Sequence, residues 1–202
     1  MDPTGCNLPP EIESFDHAYT GTPAWDIGKP QPALLDLFDT GAITGSVLDA
    51  GCGTGELALL AASRGLDATG VDSSPRAIAI AGERAAARGL HAVRFEVGDA
   101  LDLSFLGVRF DVVLDSGLFH VFSDDDRARY VESLHSVLVP GGRCHLLAFS
   151  DAQGGQWGPR RIRRDELEGA FATGWDLRNV EASTFELTIG TAKAWRATVR
   201  RS

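Results

Sequence analysis

Positive charge is scarce in this chain. Only 19 Lys and Arg stand against 28 Asp and Glu, a formal net charge of −9. Proteins that hold nucleic acid or an anionic membrane draw much of their affinity from basic side chains, so neither partner is expected here. The one strongly basic stretch is GPRRIRRDE, with Arg160, Arg161, Arg163 and Arg164. Cysteine is also rare: Cys6, Cys52 and Cys144 are too few and too scattered for a disulfide framework or a zinc motif, and no metal is expected. No apolar run approaches the roughly 20 residues that span a bilayer. The start, MDPTGCNLPPEIE, has neither the basic opening nor the apolar stretch of a signal peptide, so a cytoplasmic protein is expected. There are no internal repeats.

What is present suits one globular domain: 202 residues, 44% of them hydrophobic and 23% charged. Residues 1–40 read as a lead-in or cap segment, with residues 41–202 as the domain proper. Pro9 and Pro10 precede a short helix from about Glu11 to Ala18, and the loop TGTPAWDIGKP follows. Pro32 then opens a helix whose apolar stripe includes Leu34, Leu35 and Phe38.

From there strands and helices alternate. The strands are read at 46–50, 67–72, 93–97, 110–115 and 143–149. The helices between them end at Gly65, at Gly89 and, after a Ser123/Asp126 capping box, at Leu138, with Pro140, Gly141 and Gly142 closing the last. A further helix is read in RRDELEGAF, and segments near 176–188 and 192–200 form a final antiparallel pair. Repeated strand–helix–strand units dictate parallel strands with right-handed crossovers and helices on both faces. The fold class is therefore α/β, a Rossmann-like doubly wound, mostly parallel sheet. Ligands in such sheets bind beyond the carboxyl ends of the strands.

The strongest chemical signal is VLDAGCGTGELA (47–58). A buried strand ends in Asp49, glycines follow at 51, 53 and 55, and a helix starts. Glycine lets a ligand rest on bare backbone, and the helix start supplies unpaired N–H groups. The rival is a nicotinamide dinucleotide, whose fingerprint is G-x-G-x-x-G. Its third glycine would fall on Glu56, a carboxylate that would repel a pyrophosphate. S-adenosylmethionine has no phosphate but carries an ammonium and a sulfonium, which acidic neighbours suit.

Three more carboxylates follow strand ends. Asp72 can accept from both ribose hydroxyls, although Asp72 or Ser73 can equally cap the next helix. Asp99, with Ala100, can serve an adenine edge or form an Asx turn. Asp115 ends the fourth strand, where methyl donor and acceptor should meet.

With these motifs in this order the sequence resembles the class I S-adenosylmethionine-dependent methyltransferases. VLDAGCGTG, VD, GDA, FDVVLD and LVPGGR carry the resemblance, which runs from about residue 25 to the end. It implies the seven-stranded sheet and cofactor contacts at Gly51, Gly53, Asp72, Asp99 and Ala100. Trp25, Asp49, Cys52, Gly55, Ser73 and Asp115 complete the candidate cofactor set. Within that family, TPAWDIGKPQP looks like the opening of the thiol and thiopurine methyltransferase-like branch, with Ala24 inserted between Pro23 and Trp25.

The acceptor is therefore expected to be a small molecule. A thiol leads, with an oxygen or nitrogen of an aromatic metabolite or xenobiotic as the alternative. A thiol needs little help, whereas a phenol or amine is better served by a base. His120, just past the fourth strand, is the first candidate base and Asp115 the second; His120 also fits a packed structural histidine. Tyr19, Trp25, Phe119, His120 and Trp157 are the candidate acceptor pocket, with Phe15 and Phe122 as further aromatics. The loop at 150–161 is a candidate lid, and its arginines could grip a carboxylate. A non-catalytic S-adenosylmethionine sensor is the reading from another class. The chain is expected to be a monomer or homodimer.

Overall fold

The computed structural model describes residues 13–155 and 157–202. Cys6, Pro9, Pro10 and the first residues of the expected opening helix lie outside the described residues. Helix α1 (Glu13–Ala18) comes first, then α2 (Pro32–Asp39). Pro32 sits in the first turn of α2, where a missing N–H costs nothing. Leu34 and Phe38, four apart, are buried, while Leu35 stands a third of a turn away and is 36% exposed, so the expected stripe is narrower than its sequence suggests.

The alternating part follows: β1 (Ser46–Ala50), α3 (Glu56–Ser63), β2 (Asp67–Asp72), α4 (Pro75–Ala87), β3 (Arg94–Val97) and β4 (Phe110–Ser116). Then come α5 (Asp124–Val137), β5 (Leu138–Phe149), α6 (Arg164–Ala170), β6 (Trp175–Leu187) and β7 (Gly190–Arg201). The seven strands form one sheet in the order β3-β2-β1-β4-β5-β7-β6. The first five are parallel, and β7 runs antiparallel between β5 and β6. The strand order turns back at β1, which pairs with both β2 and β4, so the carboxyl end of β1 is the switch point.

Strand alternation divides the core in two. Leu48, Val113 and Leu146 face α5 and α6 through Tyr130, Leu134 and Leu167. Val47, Leu114 and Leu147 face α2 and α3 through Leu34, Leu57 and Ala58. Helix α4 buries only alanines, Ala77, Ala81 and Ala85, whose small side chains let it approach the sheet closely. Its cap is Ser74, whose hydroxyl accepts from the Ala77 N–H at 3.1 Å, and not Asp72 or Ser73. In α5 the Ser123 hydroxyl accepts from the Asp126 N–H at 3.1 Å, and three aspartates in the first turn favour the positive end of the helix.

The chain corrects the sequence reading at Pro140. Helix α5 ends at Val137, and strand β5 begins at once at Leu138, running through Pro140, Gly141 and Gly142. Leu138 pairs with Phe110 and Arg143 with Val112, so the residues between them bulge out of the ladder. A proline without an N–H is tolerated there. Two short 3-10 helices, Ala100–Leu106 and Phe119–Val121, also lie after β3 and β4. Most of the basic stretch is neutralised locally: Arg160 pairs with Asp124 and Glu166, Arg163 with Asp165, and Arg164 with Glu168. Among the described residues, no helix is long and apolar enough to cross a membrane.

Candidate active site

A cavity opens at the switch point. Its floor is the turn between β1 and α3, and Asp49, Gly51, Cys52 and Gly53 line it. Gly51 and Gly53 have φ of 67° and 52°, the left-handed region that favours glycine. A Cβ on Gly53 would stand 2.8 Å from the Tyr19 hydroxyl, so a side chain there would close the floor. The turn is fixed by Asp72, which accepts from the Gly53 N–H at 2.8 Å and from the Ser74 N–H at 2.9 Å. Burial raises the Asp72 pKa above the ordinary carboxylate range, against the pull of these bonds. Each carboxylate oxygen keeps a second lone pair.

Asp49 lies beneath the same turn and accepts from the Ala58 N–H at 3.1 Å. Burial, opposed by that bond, pushes its pKa up to about 7. The Cys52 thiol is pushed well up by burial and by the charges of Asp49 and Asp72, so it stays protonated. Ser73, Asp99 and Ala100 close this end of the cavity. The exposed Asp99 carboxylate accepts from the Leu101 N–H at 2.9 Å, the Asx turn, and still borders the cavity.

The lead-in segment forms a strap over the opposite wall. Trp25 donates from Nε1 to the Tyr19 hydroxyl at 2.9 Å, and Phe15 meets the Trp25 ring edge-on at 5.9 Å. Gln31 pins the far end of the strap with two 2.8 Å bonds to the backbone of Glu186 in β6. Arg84 of α4 pins the middle: it donates to Asp26 at 3.1 Å and to Glu56 at 3.0 Å, and also reaches Thr54. Sequence reading missed Arg84, because its partners lie 28 to 58 positions away. Arg88 joins it on Glu56, which weakens the argument that Glu56 would repel a pyrophosphate.

Beyond the glycine turn the cavity becomes apolar. Val121, Phe122, Phe149, Trp157, Phe185 and Leu187 line this end, with His120 among them. The His120 ring is 5% exposed, and its Nδ1 accepts from the Phe149 N–H at 2.9 Å. Burial, with the nearby Arg161 charge, lowers its pKa to about 3.

Residues 47–142 match the family described as "Methyltransferase domain". The 2-heptyl-1-hydroxyquinolin-4(1H)-one methyltransferase of Mycobacteroides abscessus is 35% identical over 178 residues, 83% of this chain and 78% of that protein. The chain belongs to the class I S-adenosylmethionine-dependent methyltransferases.

A solved structure from work on "Conversion of a Disulfide Bond into a Thioacetal Group during Echinomycin Biosynthesis" matches this methyltransferase with a TM-score of 0.87. It is 39% identical, over 95% of this chain and 93% of that one. A probable thiol methyltransferase of Arabidopsis thaliana is 29% identical over 134 residues, 64% of this chain and 58% of that protein. The cofactor is S-adenosylmethionine. The turn fits it: bare backbone at Gly51 and Gly53, a half-buried carboxylate at Asp72 and a buried one at Asp49 suit a ligand that carries hydroxyls and two cationic groups.

The methyltransferase fold brings most of the sequence candidates to one cavity but excludes three. Asp115 faces α5, on the same side of β4 as Val113. Its fully buried carboxylate accepts from the Leu118 N–H at 2.8 Å, from the Phe119 N–H at 3.1 Å and from the Tyr130 hydroxyl at 2.9 Å. Burial raises its pKa to about 6. It braces the turn that carries His120, and it does not border the cavity. Phe119 is likewise in the core, stacked on Phe171 at 5.8 Å and capped by the Arg127 guanidinium at 5.0 Å. The 3-10 turn directs alternate residues, Leu118 and His120, toward the cavity instead. Gly55 caps α3 with a φ of 85° and packs on Phe95, away from the cavity that its neighbours Thr54 and Glu56 line.

Proposed function

We propose that this methyltransferase acts on an ionisable oxygen of a small, flat heteroaromatic molecule. The observation that carries the reading is the apolar aromatic end of the cavity, where Phe149 and Phe185 flank the His120 ring, Trp157 meets Phe149 edge-on and Phe122 also lines the wall. Such a lining favours a planar apolar body and specifies one polar atom. The Mycobacteroides abscessus relative, named for a hydroxyquinolone, supports the same class. A second reading, transfer to sulfur, draws on the thiol methyltransferase relative and the 39% identical structure described by disulfide chemistry.

In this reading Gly51, Cys52 and Gly53 present backbone to the cofactor. Asp72 accepts from its ribose, Ser73, Asp99 and Ala100 border its adenine, and Asp49 faces its cationic end. Trp25 and Tyr19 close over it, with Tyr19 and Trp25 also on the acceptor path and Trp157 as the far wall. The bound cofactor supplies a methyl group on a positively charged sulfur, already activated for displacement. The chain's own contribution is to align the acceptor and to exclude water. Residues 13–31 of the lead-in segment (1–40) act as the cap, and residues 41–202 form the catalytic domain.

The test is a competition experiment with isotopically labelled cofactor. Substituted 1-hydroxyquinolin-4(1H)-ones, phenols and aromatic thiols compete, and kcat/KM is compared across them. Hydroxy heteroaromatics are expected to lead. Turnover confined to thiols would replace the oxygen reading with the sulfur one.

A further inference from the structure

We infer that His120 is not a base but a neutral hydrogen-bond donor, which positions the acceptor as its anion and so restricts the enzyme to acceptors that ionise near neutral pH. The inference deepens the proposed function and rests on it for the acceptor atom. Its core is the geometry of one ring.

A neutral imidazole has one N–H and one lone pair on nitrogen. The lone pair of His120 is at Nδ1, because Nδ1 accepts the Phe149 backbone N–H at 2.9 Å. A proton on Nδ1 would set two donors against each other in the core. The ring proton therefore sits on Nε2. Nε2 makes no hydrogen bond to the described residues, and the ring, 5% exposed, borders the cavity. What His120 shows the acceptor is an N–H, which needs a lone pair opposite it.

The surroundings hold the ring in that state. Phe149 meets it edge-on at 4.9 Å, and Phe185 lies at 6.1 Å. The Arg161 guanidinium lies over both Phe149 and Trp157, at 5.4 Å from each ring, and opposes a second positive charge on His120. Lys29 is paired with Glu186 at 2.8 Å, and Asp115, beneath the turn, is committed to Tyr130. The carboxylates that border the cavity, Asp26, Asp49, Glu56, Asp72 and Asp99, belong to the strap and the glycine-turn end. Among the described residues, the aromatic end thus combines an N–H donor and the field of Arg161 with no carboxylate, an arrangement that favours an anion and supplies no general base.

The transfer balances without one. The acceptor arrives as an oxyanion and one of its lone pairs attacks the methyl carbon. The carbon–sulfur bond breaks with its electron pair left on sulfur. A neutral methylated product and S-adenosylhomocysteine result, with no proton to place.

The decisive measurement is nitrogen-15 NMR of the histidine-labelled protein. The expected result is a neutral Nε2–H ring for His120 at every point from about pH 5 to 9. Titration within that window, or a proton on Nδ1, would overturn the inference whether or not any acceptor is known. The second arm is kinetic, with substituted 1-hydroxyquinolin-4(1H)-ones. The apparent pKa of kcat/KM is expected to follow the acceptor's own pKa along the series. A single fixed pKa would assign the proton to the enzyme and reject the proposal. His120→Asn keeps a partner for the Phe149 N–H but loses the Nε2 donor; His120→Gln restores the reach of a donor. Asn is expected to lower kcat/KM by about tenfold to a hundredfold with cofactor affinity unchanged, and Gln to recover part of it. Equal losses in both variants would reduce His120 to a packing role. If no hydroxy heteroaromatic is methylated, the acceptor class fails, while the NMR result still decides the ring.

Discussion

The Gly53 amide donates to Asp72 at 2.8 Å, so one carboxylate closes the glycine turn and also lines the cavity. Shape and chemistry of the floor are tied together through that contact. Asp72→Ala is expected to weaken S-adenosylmethionine binding by about tenfold to a hundredfold, the worth of a hydrogen bond to a charged group. Calorimetric titration reads it, and an unchanged Kd removes Asp72 from the site.

Asp49 gives a pH signature. Its folded pKa of about 7 lies above the ordinary 3.8, so the native state holds this proton more tightly than the unfolded chain. Its stabilising contribution is full below about pH 4 and is lost as pH rises to about 7. His120 and His145, lowered to about 3 and about 4, slope the other way, so the wild type by itself shows a muted trend. Asp49→Asn is expected to gain on the wild type by about 2–4 kcal/mol between pH 4 and pH 8. Urea unfolding at several pH values reads the difference, and parallel curves contradict it.

The same group couples to the ligand. A cationic cofactor favours the ionised form of Asp49, so affinity for S-adenosylmethionine is expected to rise as pH passes through about 7. In Asp49→Asn that rise disappears. A pH-dependent Kd that survives the substitution points to another group.

Arg84 holds the strap to the turn through Asp26 and Glu56, whose side chains are 9% and 10% exposed. Arg84→Met leaves both carboxylates without that partner. The expected cost is about 1–3 kcal/mol, below the figure for a sealed ion pair because Arg84 itself is 27% exposed. Limited proteolysis should then cut first within residues 19–31. Wild-type resistance there would show that Gln31 and Trp25 hold the strap without it.

Phe119 separates core from pocket. Phe119→Ala is expected to cost about 3–5 kcal/mol of stability while leaving the ranking of acceptors intact. Chemical denaturation and the acceptor panel read the two effects. A changed ranking with little loss of stability would return Phe119 to the pocket.

The alternation of apolar runs with glycine- and proline-punctuated helices was legible because it is local. So were the turn at 51–55 and the carboxylates that end β2 and follow β3. The failures share a cause. Asp115 looks like a site residue because it ends a strand, but the pleat turns it toward Tyr130, and no local signal reports which face of the sheet is the closed one. Phe119 and His120 are neighbours with opposite fates for the same reason: a 3-10 turn points one into the core and the other into the cavity. Pro140 looks like a terminator because the bulge that shelters it depends on Phe110 and Val112 across the ladder.

The order of residues alone determined the α/β alternation and the glycine turn, since each depends on backbone preferences a few positions apart, and its motifs carried the resemblance that implied the cofactor. Tertiary structure decided which nitrogen of His120 carries the proton, because the Phe149 amide that fixes it lies 29 positions away. It also decided the Arg84 latch and the aromatic end of the cavity. Those depend on burial and on contacts between distant segments, which exist only once the sheet has brought them together.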